Sequence, residues 1–184
     1  AYEDGPSGRR RTVTIDRIEE KLGHHGSVTA ALSFDRAKAE LVGRRGEGFK
    51  YMLTLMNNAR LGVGFESIGL CEAAYRAASA YAAERRSMGK PIGRHEMIFD
   101  ALAEMRSDIE AIRALAMYGG FHEEMANKIT IASQFASMMT PDERARMDRD
   151  LPVHKAASRR TTPLLKYFAA EKAVEMARRC VQIH

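Results

Sequence analysis

Paired arginines are the most conspicuous candidates for chemistry in this sequence. They stand at Arg44-Arg45, Arg85-Arg86, Arg159-Arg160 and Arg178-Arg179, with a triplet at Arg9-Arg10-Arg11. The 184 residues carry a net charge of +5, and such an excess of cations can bind nucleic acid. The arginines are scattered, however, and Trp is absent, so no base-stacking surface is indicated. A small anionic ligand such as a nucleotide fits these positions equally well, and we expect no nucleic-acid binding.

Other chemical signatures are missing from the sequence. Residues 43–48 are rich in glycine but lack the Lys-Ser/Thr of a phosphate-binding loop. His122 and Glu123 are adjacent rather than four residues apart, which argues against a metal site. Cys71 and Cys180 are isolated and are most simply small buried thiols. We therefore predict neither a metal centre nor a disulfide framework.

Two kinds of element must position the candidate residues. Residues 12–18 and 27–34 have the alternation of short strands. Apolar residues then recur at spacings of three and four through 49–85 and again through 94–118, which predicts two long helices packed antiparallel. Hydrophobic residues make up 45% of the chain, but no run approaches the ~20 apolar residues of a membrane span.

Glycine and proline residues predict where these helices bend, break or begin. Gly62, Gly64 and Gly69 interrupt the first one and predict a close backbone approach or a bend. Gly119-Gly120 predicts a break in the second. Thr140-Pro141 with Glu143 is a helix start, and Thr162-Pro163 repeats the pattern. The charged region 140–162 between these starts is therefore predicted to be a solvated loop with a short helix.

These patterns predict a mainly α fold. Residues 46–184 form an antiparallel bundle of three or four long helices, with a longer charged insertion at about 126–162. Residues 1–45 contribute a short β-strand fragment. Two strands alone are marginally stable in water, so we expect this fragment to belong to a larger sheet or to lie on helices.

Several short segments, taken in chain order, resemble the acyl-CoA dehydrogenase family, whose members are flavoenzymes that desaturate acyl-CoA thioesters. The segments are Glu19–Gly23 with Ser27 and Thr29, Leu41–Phe49, Ala59-Arg60, Glu84–Ile92, Leu102–Met105 and Val181–His184. Each is weak alone, but the ordered set is specific, and the resemblance covers roughly residues 12–118 and 162–184. The resemblance makes residues 1–45 a remnant of the family's middle β-domain, and 46–184 an incomplete C-terminal domain.

The resemblance implies a substrate-binding role for two residues of the first long helix. In the family, the helix that carries the Ala59-Arg60 pattern contacts the CoA moiety. Arg60 would then meet the nucleotide part of an acyl-CoA, with Asn57 beside it at a position that the family often fills with Asp. A guanidinium suits phosphate oxygens and stacks on adenine. The alternative is that Arg60 pairs with a local carboxylate.

The turn after this helix resembles the family segment that reaches across a dimer to the neighbour's FAD. The resemblance implies that Arg85 binds the pyrophosphate, that Ser87 adds a hydroxyl, and that Met88 stands where Phe is common. His95 keeps its family position, whereas Glu96 replaces the usual Gln. A carboxylate there repels the diphosphate unless it faces the adenosine or is paired. The alternative for Arg85 is a cation that stabilises a helix C-terminus.

The end of the sequence resembles another FAD segment. Gln182 matches the Gln of the family's Gln-Ile-His-Gly-Gly motif, and the sequence stops at His184, before the glycines. The catalytic base, a Glu that removes the α-proton, usually lies beyond this point, and the minority position beside the helical Arg is Ala59 here. The resemblance therefore assigns no catalytic residue to this chain. We expect the fold to bring Arg60, Arg85 and Gln182 together.

The family resemblance implies a parent oxidoreductase of fatty acid metabolism. It would use FAD to convert an acyl-CoA into a trans-2-enoyl-CoA and would pass electrons to an acceptor protein. We expect the 184-residue fragment to be inactive alone, to form a homo-oligomer (dimer or tetramer), and to reside in the cytoplasm or, in a eukaryote, in the mitochondrial matrix. Two alternatives stay open: a non-catalytic helical oligomerisation module, and a basic helical protein with salt-sensitive affinity for RNA.

Overall fold

The computed structural model describes residues 2–5 and 8–184 of the chain. It divides into two compact units, Ala1–Gly48 and Phe49–His184. The predicted boundary at 45/46 lies in the same stretch of chain. That the first unit belongs to a middle β-domain stays a prediction.

The first unit contains two antiparallel strand pairs. β1 (Tyr2–Gly5) pairs with β2 (Gly8–Arg11), and β3 (Val13–Ile18) pairs with β4 (Ala30–Phe34). The second pair confirms the two predicted strands, although β4 begins at Ala30 rather than at residue 27. The first pair was not predicted, because the opening residues are polar and turn-like. Its register pairs residue 2 with residue 11 and residue 5 with residue 8.

The second unit is a bundle of three long helices. They are α1 (Gly48–Glu84), α2 (Glu96–Ala132) and α3 (Pro141–Ile183). A small hairpin of β5 (Arg86–Ser87) and β6 (Lys90–Pro91), followed by the 3-10 turn Ile92–Arg94, joins α1 to α2. A second 3-10 segment, Ser133–Met138, joins α2 to α3. This confirms the mainly α class and the antiparallel helical bundle.

A continuous apolar core joins the three helices. Its largest fully buried side chains are Cys71 of α1, Met105 and Ile112 of α2, and Leu165 and Met176 of α3. Burial of a side chain of this size contributes about 1.5–3 kcal/mol. The buried Cys71 is also the free thiol that the sequence predicted, and burial raises the pKa of its thiol.

Ion pairs between the helices fix their register. Arg113 of α2 donates to Glu72 of α1 at 2.7 Å. Lys172 of α3 lies 2.9 Å from Asp108 of α2. The hydrogen bond that Arg113 donates lowers the pKa of the Glu72 carboxyl.

The predicted break of α2 at Gly119-Gly120 is wrong. The helix runs unbroken from Glu96 to Ala132. An added Cβ at Gly119 would lie 3.1 Å from Thr161 Cγ2, and one at Gly120 would lie 3.7 Å from Phe65 Cζ. The glycines therefore serve close packing, and that packing outweighs their low helix propensity.

The predicted loop at 140–162 is also wrong, since these residues lie almost entirely within α3. The start at Thr140 is confirmed: Glu143 N–H donates to Thr140 Oγ1 at 3.3 Å, and Thr140 N–H donates to Glu143 Oε2 at 2.8 Å. Thr162-Pro163 is not a second start, because Thr162 is buried and Pro163 lies inside the helix. Tertiary packing of the surrounding turns sustains the helix across a residue that lacks an N–H.

Within residues 2–5 and 8–184, no helix combines the length and the apolar character that a bilayer crossing requires.

The glycines of α1 provide a matched test of this packing. An added Cβ at Gly64 would lie 2.6 Å from Cγ and Cδ2 of the buried Leu165, whereas one at Gly62 meets nothing within 4 Å. We expect Gly64→Ala to lower the free energy of unfolding by about 1–3 kcal/mol, since overpacking forces neighbours to shift. Gly62→Ala should raise it by about 0.5–1 kcal/mol, because alanine favours the helix. Urea unfolding of both variants measures this, and equal effects would contradict the close approach.

Candidate functional site

The predicted site residues fall at opposite ends of α1. Asn57 and Arg60 lie in its first half, and Arg85 directly follows its last residue. The interval from Arg60 to Arg85 is about 37 Å at the α-helical rise per residue. Gln182 is in the last turn of α3, and the neighbouring His184 ring stacks on Tyr81 with centroids 4.4 Å apart. The expectation that Arg60, Arg85 and Gln182 converge is therefore wrong: Gln182 lies at the Arg85 end.

At the Arg85 end, the hairpin between α1 and α2 is held by its own side chains. Met88 and Gly89 form its two-residue loop, with φ of +48° and +80°, as a type I′ turn requires. Arg86 Nη2 donates to the Gly89 carbonyl at 2.8 Å. His95 Nε2 lies 3.2 Å from the Ser87 carbonyl oxygen. His95 thus ties the start of α2 to the hairpin.

The chemistry of this end fits the anionic part of FAD. Arg85, Ser87, Met88 and Gln182 are all exposed, and within the described part of the chain no ion pair engages Arg85. An uncompensated guanidinium, a hydroxyl and an amide are donors that a diphosphate accepts. Arg85 lies just past the C-terminus of α1, so the helix-dipole alternative also stays open.

Glu96, the departure from the family pattern, has a local explanation. It is the acidic residue in the first turn of α2, where a carboxylate interacts favourably with the helix dipole. Its side chain is exposed. The position therefore stabilises the helix whether or not a ligand binds beside it.

At the Arg60 end, a pocket of about 290 Å³ opens between the three helices. Its lining residues are Asn57 and Arg60 of α1, Glu123, Ala126, Asn127 and Thr130 of α2, and Lys155, Ser158, Arg159, Thr162 and Pro163 of α3. Arg60 is half-buried, and its Nη1 donates to Asn57 Oδ1 at 3.0 Å. No carboxylate pairs with Arg60 among residues 2–5 and 8–184, contrary to the alternative that the sequence left open.

The single carboxylate among these lining residues is already engaged by neutral groups. The buried Ser158 hydroxyl donates to Glu123 Oε2, and Asn127 Nδ2 donates to Glu123 Oε1 at 3.4 Å. Among the described residues, Glu123 makes no ion pair with Arg60, Lys155 or Arg159. One carboxylate against three cations leaves the lining with an excess of positive charge.

The α3 wall of the pocket was not predicted from the sequence. The sequence shows the pair Arg159-Arg160, but its helix-start patterns predict a loop over residues 140–162. In a continuous helix, Lys155, Arg159 and Thr162 recur at spacings of four and three and therefore share a face. That spacing is the signal that could have identified them.

Beside the pocket, two histidines connect α2 and α3. His122 Nδ1 lies 2.8 Å from His154 Nδ1, so one ring nitrogen donates and the other accepts. The rings of Tyr118 and Phe121 contact the His122 ring edge-on. Burial, and secondly the charge of His154, lower the pKa of His122 below its ordinary value of 6.5.

Comparison with known proteins decides the family. The model of the acyl-CoA dehydrogenase C-terminal domain matches residues 46–141, which is more than half of the chain. This chain belongs to the acyl-CoA dehydrogenase family. The recognition from ordered short segments is thereby confirmed.

Individual relatives agree with this family. The 3-methylmercaptopropionyl-CoA dehydrogenase of Ruegeria pomeroyi is 32% identical over 193 residues, covering 100% of this chain and 30% of that protein. An acyl-CoA dehydrogenase of Bacillus subtilis is 36% identical over 131 residues, covering 67% of this chain and 35% of that protein. The structure of a glutaryl-coenzyme A dehydrogenase in complex with glutaryl-CoA matches with a TM-score of 0.65 and 26% identity, covering 94% of this chain and 37% of that one.

The chain thus spans only about a third of the length of these acyl-CoA dehydrogenase relatives. The family and the fold are established for it. The roles assigned to Asn57, Arg60, Arg85, Ser87 and the other predicted site residues stay predictions.

The histidine pair makes stability depend on pH. Because the pKa of His122 is lowered in the folded chain, the unfolded chain binds a proton at higher pH than the folded one. Stability should therefore be fully present above about pH 6.5 and should fall as the pH drops through the folded pKa. Thermal unfolding between pH 7.5 and 5 measures this loss.

Two variants distinguish the pair from other acid effects. His122→Gln should flatten the pH dependence, whereas His184→Gln, which alters an exposed ring at the other end of α3, should leave it unchanged. An identical slope in wild type and His122→Gln would show that the pair is not responsible.

Proposed function

We propose that this chain is part of an FAD-dependent acyl-CoA dehydrogenase and that its helical bundle supplies two separate binding surfaces. The pocket at Arg60 binds the CoA end of the substrate, and the hairpin at Arg85 binds FAD. The observation that supports this most is the half-buried Arg60, which has no carboxylate partner within residues 2–5 and 8–184 and lies in a pocket that also presents Lys155 and Arg159.

For the substrate, the charge of the pocket is the argument. Its three cations face one carboxylate that already accepts hydrogen bonds. Phosphate groups are the part of an acyl-CoA that guanidinium and ammonium groups bind. Asn57 accepts from Arg60 Nη1, and this bond holds the guanidinium in place on α1. Acyl-CoA binding therefore follows from the charge of the pocket rather than from a shaped acyl channel.

For FAD, the donors at the hairpin are the argument. Arg85 and Ser87 on the hairpin, with Gln182 on α3, are exposed groups that suit its diphosphate. Met88, His95 and Glu96 frame them, and His95 holds the turn through the Ser87 carbonyl. When bound, FAD accepts the hydride from the substrate. This chain's residues bind and orient it and take no part in that transfer.

The distance between the two surfaces supports self-association. About 37 Å of helix separates Arg60 from Arg85, so the two residues bind different ligands or distant parts of them. A hairpin that serves the FAD of a neighbouring subunit is consistent with this separation. An exposed apolar stripe on α3, formed by Tyr167, Val174 and Val181, offers a surface for a homo-oligomer, either a dimer or a tetramer.

The remaining parts of the proposal rest on family membership. The parent enzyme would form a trans-2-enoyl-CoA, serve fatty acid metabolism, and pass electrons to an acceptor protein in the cytoplasm or the mitochondrial matrix. The exposed Ile15, Ile18 and Phe34 of β3 and β4 support membership of a larger sheet, as in a middle β-domain.

Binding measurements on the 184-residue chain test the substrate surface. We expect coenzyme A to bind and Arg60→Gln to weaken binding at least tenfold, because a charge-assisted hydrogen bond contributes about 1.5–3 kcal/mol. Arg76→Gln, a variant of an exposed arginine on the same helix, is the control and should bind like wild type. Equal affinities for the two variants, measured by isothermal titration calorimetry, would refute the role of Arg60.

A separate measurement tests whether this chain carries a catalytic base. Position 59 beside Arg60 is Ala, so we expect no bleaching of flavin absorbance when the chain is mixed with FAD and butyryl-CoA. Stopped-flow absorbance at the flavin maximum would detect it. Rapid bleaching would mean that one of the present residues removes the α-proton. The same chain mixed with FAD alone, without butyryl-CoA, provides the baseline.

A further inference from the structure

The α3 wall of the pocket carries two cations that the family resemblance did not assign. Lys155 and Arg159 line the pocket opposite Arg60 and are both exposed. Throughout the described ranges 2–5 and 8–184, neither is engaged in a salt bridge. They are one helical turn apart, and like charges at this spacing destabilise a helix. An anion between them and Arg60 would remove that repulsion.

The polar groups that line the pocket beside the cations favour one class of anionic ligand. Ser158 and Thr162 are buried beneath the cations, and Glu123 adds carboxylate oxygens that can accept further hydrogen bonds. Asn127 and Thr130 add neutral polar groups from α2. Inorganic phosphate at neutral pH offers Glu123 only its P–OH groups, and those lie on the same small anion that the cations would bind. A phosphorylated nucleoside has both phosphate oxygens for the cations and hydroxyl or amino donors for the carboxylate.

The size of the pocket sets how much of a ligand it takes. At about 290 Å³, it is at the lower limit of ligand pockets. It would therefore hold one end of a long ligand rather than a whole thioester.

We propose that Lys155 and Arg159 of α3 bind a phosphate of the nucleotide end of the thioester substrate, opposite Arg60, while Glu123 accepts from a hydroxyl or amino group of the same nucleotide. This rests on the proposed function and deepens it, since it adds a second helix to the substrate site. The two cations are binding residues for the part of the substrate that does not react. They fix the position of the nucleotide through α3, in a part of that helix that the sequence pattern predicts to be a loop.

The experiment compares two double variants of the 184-residue chain. Lys155→Gln with Arg159→Gln removes the two pocket cations. Arg160→Gln with Lys166→Gln removes the same charge from exposed positions of α3 that do not line the pocket. Isothermal titration calorimetry with coenzyme A, adenosine 3′,5′-bisphosphate and pantetheine measures binding, and thermal unfolding verifies that both variants fold.

We expect the pocket variant to bind coenzyme A and the bisphosphate at least tenfold more weakly than wild type, and the control variant to stay within about twofold, since only long-range charge changes there. Pantetheine, which lacks the nucleotide, should distinguish none of the proteins. If the two double variants bind coenzyme A alike while Arg60→Gln still weakens it, the inference is wrong and the proposed function stands. If coenzyme A does not bind but the bisphosphate binds through Lys155 and Arg159, the phosphate site stands and the substrate proposal fails. If neither ligand binds, both are overturned.

Discussion

The close approach of α1 to α3 at Gly64 determines where the candidate substrate residues lie. The buried Leu165 occupies the space that a side chain at position 64 would need. Arg60 is one helical turn before Gly64, so the two positions face the same side of α1. The contact therefore brings Arg60 towards the wall of α3 that carries Arg159, and it defines the pocket between them. A wider separation of the helices would leave Arg60 on an open surface.

The length of the helices gives the bundle two ends, and each end carries its own candidate binding surface. The pocket and the hairpin lie at opposite ends of α1, whose length fixes their separation at tens of ångströms. No rotation of side chains can bridge that distance, so the two surfaces cannot serve the same ligand within one chain. An assembly of chains is then the natural way to use both, and the exposed apolar residues along α3 provide a surface for it.

Local signals predicted the elements well, and non-local packing explains the failures. The periodicity of α1 and α2, the cap at Thr140 and the turn at Gly89 are all properties of neighbouring residues, and each is found in the structure. The continuity of α3 is not local, since Pro152 and Pro163 are helix breakers by propensity. The Thr162-Pro163 pattern predicts a helix start, and this prediction places Lys155 and Arg159 in a loop outside the bundle. Half of the candidate pocket was therefore out of reach from sequence alone, although Arg60 and Asn57 were found through the family resemblance.

The cations at the two ends of α3 also differ in their partners, and this difference supports the binding of a ligand at the pocket. Near the hairpin, Lys172 pairs with Asp108 at 2.9 Å, and Arg179 pairs with Glu104 at 2.6 Å. These cations are used to hold α3 against α2. Near the pocket, hydrogen bonds rather than ion pairs join the same two helices in the described residues: the histidine pair, and the bond from Ser158 to the Glu123 carboxylate. Lys155 and Arg159 could in principle pair with carboxylates of α2, as Lys172 and Arg179 do. Because hydrogen bonds do that work there, the two cations stay available to an anion from solution.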